Sequence, residues 1–204
     1  MNLSNSHKES VLSPFSVEYR LETAVDQLAE HLVERFLNHA FAEEIVIVCI
    51  GTDRSTGDAL GPLVGSKLIA KKPLSFQVYG TLEDPVHAVN LSEKLDVIQK
   101  KHPEALLIAV DACLGQFSNV GKINVVDGPL KPGAGVKKEL PAVGTFHITG
   151  IVNVGGFMEY FVLQNTRLFV VMQMAEIIAA GLAKASSLLV HATGDAPQVR
   201  AYPD

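Results

Sequence analysis

The chain has 204 residues, enough for one α/β domain with a sizeable core and cramped for two. Hydrophobic residues make up 48% of it and charged residues 19%, which excludes a disordered or fibrous protein. A net charge of −5 removes the electrostatic case for nucleic acid as a partner.

Residues 1–20 are polar and contain no apolar h-region, so they are expected to form an N-terminal arm and not a standard signal peptide. A cytosolic location follows as the expectation. The amphipathic segment Leu21 to Leu37, with Ala24, Leu28, Leu32 and Phe36 at spacing 4, predicts a surface helix. Ile45 to Ile50 is an apolar run without alternation, as in a parallel strand buried on both faces. A Gly/Thr/Asp/Ser loop, Gly51 to Gly57, follows. A helix then runs to about Lys71, and Pro62 places its start near Gly61, because proline is tolerated in the first turn.

Ser75 to Leu82 reads as a second strand. Asp84-Pro85 reads as the cap and first residue of a helix reaching Lys101, so His87 belongs to a cap and not to a site. A third strand, Ala105 to Val110, ends in Asp111. The loop Leu114 to Gly121, a strand Lys122 to Val126 and the loop Asp127 to Pro141 come next. Gly156 to Leu163 reads as a short helix and Thr166 to Ala185 as a long closing one. The apolar stretch in that last helix, Leu168 to Ala185, is interrupted by Gln173, Glu176 and Lys184, so it is expected to pack on a sheet and not to span a membrane. Leu188 to Val190 looks strand-like, and residues 191–204 are taken as a tail behind one α/β domain at 21–190. Alternating strands and helices predict a mostly parallel sheet with helices on both faces, a three-layer α/β/α fold.

In such sheets ligands bind at the carboxyl ends of the strands. Asp58, in Gly57-Asp-Ala-Leu-Gly-Pro62, and Asp111 both follow apolar strands, and neither continues the apolar pattern. Asp58 also suits a helix cap, whereas an ionisable residue closing a continuous apolar strand points more directly to a crevice. His147 lies among apolar and small residues between Val143 and Asn153, as a core histidine or as a third member of the site; the other six histidines are expected at exposed positions. Two aspartates alone suit a shared-proton dyad that activates water, and two aspartates with a histidine suit a divalent transition metal. Lys131-Pro-Gly-Ala-Gly-Val136 is a turn whose glycines could also bring main-chain N–H groups to a developing oxyanion. Cys49 and Cys113, without Cys-x-x-Cys spacing, are expected as reduced thiols. There is no Gly-x-Ser-x-Gly elbow, P-loop or Gly-x-Gly-x-x-Gly fingerprint.

Gly57-Asp-Ala-Leu-Gly-Pro-Leu63, Ala109-Val-Asp-Ala112 and Pro132-Gly-Ala-Gly-Val136 resemble, in the same order, three motifs of the spore germination protease, an aspartic-type endopeptidase. Tyr79-Gly-Thr-Leu-Glu-Asp-Pro-Val-His-Ala-Val-Asn90, Val110-Asp-Ala-Cys-Leu-Gly115 and Phe146-His-Ile-Thr-Gly-Ile-Val-Asn153 are closer still to the sporulation-associated YyaC family. Both are similar in fold to the hydrogenase maturation peptidases, which implies a phosphorylase/hydrolase-like three-layer domain. The resemblance implies a peptidase acting on a protein or peptide in a sporulating cell. It carries the catalytic carboxylates onto Asp58 and Asp111, and a nickel or zinc site onto Asp58, Asp111 and His147. The same residues would serve a non-catalytic spore protein that binds a metal or a peptide in that crevice. Nothing in the sequence specifies an oligomeric state.

Overall fold

The computed structural model describes residues 13–39, 42, 44–73, 75–133 and 140–193. Along the chain run β1 (Phe15–Glu18), α1 (Ala24–Asn38), β2 (Ile45–Cys49), α2 (Leu60–Ala70), β3 (Phe76–Tyr79), α3 (Leu91–Lys101), β4 (Leu106–Gly115), β5 (Lys122–Asp127), β6 (Phe146–Val154), α4 (Glu159–Gln164) and α5 (Leu168–Thr193). The strands form one sheet in the order β1-β5-β6-β4-β2-β3. β6, β4, β2 and β3 pair in parallel; β5 joins β6, and β1 joins β5, in antiparallel fashion. The α/β class and the mostly parallel sheet are therefore as expected, with a mixed flank contributed by β1 and β5.

Apolar side chains alternate between two cores. Ile47, Cys49, Ile108, Val110, Phe146 and Ile148 face α1, α2 and α5, while Val46, Val48, Ile50 and Ala109 pack with Leu91 and Ile98 of α3. Burial of β2 on both faces is why its sequence is apolar throughout. In α5 the stripe Val171, Met174, Ile178, Leu182, Ala185 and Leu189 is buried. By length and composition alone this helix could cross a membrane, but in this fold that stripe belongs to the core shared with α1, α2 and the sheet.

Several boundaries depart from expectation. Part of the N-terminal arm is β1, paired to β5, and α1 begins at Ala24. Asp84-Pro85 does not start a helix: Val86 makes a parallel bridge to Ile50, and the Asn90 side chain accepts from the His87 N–H (2.8 Å) and donates to the Pro85 carbonyl (3.0 Å), building a turn before α3. Asp84 instead pairs with Lys94. β4 runs four residues past Asp111, and the segment around His147 is a nine-residue strand. The strand-like run 188–190 lies inside α5, whose buried stripe continues to Leu189. Residues 134–139 of the glycine-containing turn, 1–12 of the arm and 194–204 of the tail lie outside the described residues.

Candidate functional site

The sheet order contains a reversal. From β2 the chain moves outward to β3, then crosses back to lay β4 on the opposite side of β2. The loops leaving β2 and β4 therefore diverge, and the crevice between their carboxyl ends is the switch point at which open α/β sheets bind ligands. Asp58 lies in the loop that follows β2, and Asp111 lies in β4.

The loop after β2 is shaped by backbone contacts. Gly51 adopts φ +145°, and a Cβ there would lie 2.0 Å from the Asp58 carbonyl oxygen, which accepts the Thr52 N–H at 3.1 Å. Only glycine lets the loop turn back this closely. α2 then passes over the end of β2, since a Cβ on Gly61 would meet the Ile50 carbonyl oxygen at 2.0 Å. Pro62 falls in the first turn of α2, as expected, and the capping position is Ala59, so Asp58 is not the helix cap.

Asp111 lies inside β4, opposite Thr149 of β6. Alternation from Ala109 directs its side chain to the α3 face of the sheet, where the apolar core below leaves it little water. Burial is the main cause that pushes its pKa up to about 8; the Ala112 N–H, 2.7 Å from Oδ1, opposes the rise, and the charge of Asp58 adds to it. Burial likewise raises the pKa of Asp58, while Ser55 favours its ionised form. The Asp58 charge thus adds a minor part to the Asp111 shift, and burial makes both carboxyls hold protons more tightly than ordinary carboxylates.

His147 is opposite Ala109, one side-chain level behind Asp111 on the same face, or roughly 7 Å along the strand. Its Nδ1 is 2.8 Å from the Gly128 carbonyl oxygen, which can only accept, so neutral His147 carries its hydrogen on Nδ1 and leaves Nε2 as an acceptor. The set of Asp58, Asp111 and His147 does not fit a resident metal: among the described residues no group of three or more His, Cys, Asp or Glu side chains is disposed to hold one.

Sequence reasoning passed over several neighbours of the pair. Ser55, three residues before Asp58, has a fully enclosed hydroxyl. Cys113, next on the Asp111 face of β4, interacts with Thr149 and has its thiol pushed up to about 11, chiefly by burial. Both cysteines are free thiols, as expected. Four histidines placed at the surface by expectation, His31, His39, His87 and His102, are part-buried. Among them His31 accepts from Arg35, a buried arginine paired with Asp127, and His102 bonds Tyr79 and Glu44. Outward of the crevice, the chain between β6 and α5 exposes Phe157 (86%), Tyr160 and Phe161, the start of α5 exposes Phe169, and Phe117 (84%) stands beyond the end of β4. This apolar rim is tied to the site by hydrogen bonds from Gly57 N–H to the Leu163 carbonyl (2.9 Å) and from Gly155 N–H to the Gly115 carbonyl (2.8 Å). The signal for it was the density of aromatics in Gly156 to Phe169, read above as a short helix and the start of a long one.

The family described as Protein of unknown function (DUF1256) matches residues 16–181 of this chain. The uncharacterized protein YyaC of Bacillus subtilis (strain 168) is 58% identical over 161 residues, covering 79% of this chain and 78% of that protein. The chain belongs to the DUF1256 family.

Proposed function

We propose that this member of the DUF1256 family hydrolyses peptide bonds in a protein or peptide substrate, with Asp58 and Asp111 as an acid–base pair. The observation that carries the reading is two carboxyls with raised pKa, Asp58 in the loop after β2 and Asp111 on β4, at the switch point between these strands. The resemblance of the segments around Asp58 and Asp111 to germination protease supports the same chemistry, and with it a place in the cytosol of a sporulating cell. The exposed aromatic rim beside the crevice favours a polypeptide over a small polar substrate, since large exposed apolar patches mark docking surfaces.

Asp111, protonated at neutral pH, donates its hydrogen to the scissile carbonyl oxygen. Asp58 takes a proton from a water molecule as that water's oxygen bonds to the carbonyl carbon. In the tetrahedral adduct the C–N bond then breaks. The leaving nitrogen takes the proton held by Asp58, and a hydroxyl proton of the adduct returns to Asp111. Both carboxyls recover their starting states, and one water has been added across the amide. His147, one level back and anchored to Gly128, supports the wall beside Asp111 without taking part in proton transfer.

Incubation of the purified protein with a peptide library drawn from whole-cell digests, read by mass spectrometry, tests this. New termini are expected with the native protein, in the presence or absence of a chelator, and not with Asp58→Asn or Asp111→Asn. Binding of peptides without cleavage would replace the peptidase reading by that of a binding protein.

A further inference from the structure

We infer that Ser55 is a positioning residue of the proposed acid–base pair: its enclosed hydroxyl donates to the ionised Asp58 carboxylate, fixing Asp58 as the base and leaving the proton on Asp111. The assignment of base and acid rests on the reading above. Among the described residues the Ser55 Oγ is the one buried side-chain oxygen or nitrogen without a hydrogen-bond partner, and Ser55 itself is 6% exposed. Buried polar groups are kept without partners only rarely, because an unmade hydrogen bond carries the full cost of desolvation.

The local fold gives the hydroxyl no other task. The turn is held by main-chain bonds, with Ala59 N–H donating to the Ser55 carbonyl (3.0 Å), Leu60 N–H to the Gly57 carbonyl (3.3 Å) and Gly57 N–H to the Leu163 carbonyl (2.9 Å). Alanine would serve that backbone equally well. Ser55 precedes Asp58 by three residues, one helical turn, and its hydroxyl is the group that favours the charged form of Asp58 against burial. The nearby Thr52 side chain is occupied, accepting the Arg54 N–H at 3.3 Å.

On the other side of the crevice, Asp111 receives one main-chain N–H and is opposed by both burial and the Asp58 charge. The other titratable groups around the pair do not reverse this order. Cys113 on β4 stays a neutral thiol, His147 on β6 is bonded to Gly128 a level back, and Asp53 and Arg54 of the Asp58 loop are exposed. The Ser55 hydroxyl, rotatable and given no other partner by the fold, is free to turn onto the charged Asp58 carboxylate.

Carboxyl carbon NMR of the full chain labelled at aspartate, followed across pH, reads the two residues separately. In the native protein Asp58 is expected to titrate before Asp111. In Ser55→Ala the Asp58 midpoint moves to higher pH by about one pH unit, because the variant loses a donor to the charged form, and Ser55→Thr restores it. Should Ser55→Ala not fold, Ser55→Cys keeps the volume with a weaker donor and is expected to shift the midpoint in the same direction. An unchanged Asp58 midpoint in a folded variant, or Asp111 titrating first in the native protein, overturns the proposal. Absence of peptide cleavage with these titrations intact would overturn the peptidase reading alone.

Discussion

Asp111 sits in β4 behind the apolar run Ala105-Leu-Leu-Ile-Ala-Val110, where burial pushes its carboxyl up to about 8, and its interruption of that run marks it in the sequence. Ser55 and Arg35 were not readable in the same way. A serine in a loop and an arginine on a helix are ordinary in sequence, and only the fold reveals that one hydroxyl is enclosed and one guanidinium is buried against Asp127. Asp111→Asn keeps the shape and the bond from Ala112 while removing the proton exchange. Cleavage is expected to fall by about 10²–10⁴-fold, measured as initial rate on a peptide found in the library screen. Its stability in urea at pH 7 should rise by at least about 1 kcal/mol, since the native state no longer holds a carboxyl that the unfolded chain would ionise.

At the level of elements, β2, α2 and β4 were legible because burial on both faces and a proline in a first turn leave strong local marks. The turn at residues 84–90 was not, because Asp-Pro suits a helix start equally well and the deciding contact, Val86 with Ile50, is remote in sequence. β6 was missed for a related reason: His147, Thr149, Gly150 and Asn153 dilute its apolar character, and its strand state comes from pairing to β4 and β5. α5 reaches Thr193 because its core-facing stripe continues beyond the polar break at Lys184. Contact between α2 and β2 is the most sensitive of these arrangements. Gly61→Ala places a methyl 2.0 Å from the Ile50 carbonyl oxygen, backbone that cannot swing aside. A loss of about 3 kcal/mol is expected from the shift in the urea midpoint, together with a disturbed Asp58 loop.

For the whole molecule, strand order turns two distant sequence segments into one crevice, since β3 and β4 leave β2 on opposite sides. Sequence patterning foresaw a parallel sheet but not this order, nor the antiparallel flank of β1 and β5. Burying an aspartate at the crevice has a consequence for stability. Between the ordinary carboxyl value near 4 and the native value of about 8, the native state holds a proton that the unfolded state has lost. Stability should therefore fall as pH rises through that window, by up to about 1.4 kcal/mol per pH unit, and level off above it. Asp111→Asn should flatten this dependence; an equal slope in the variant would assign it to other groups.

Whether the charge of Asp58 acts on Asp111 is read from the carboxyl NMR titration of Asp111 in Asp58→Asn. Removing the neighbouring charge should lower the Asp111 midpoint from near 8, while burial keeps it above the ordinary carboxylate range. An Asp111 midpoint that does not move would show two carboxyls that titrate independently, and one near 4 in the native protein would show that Asp111 is not a buried acid.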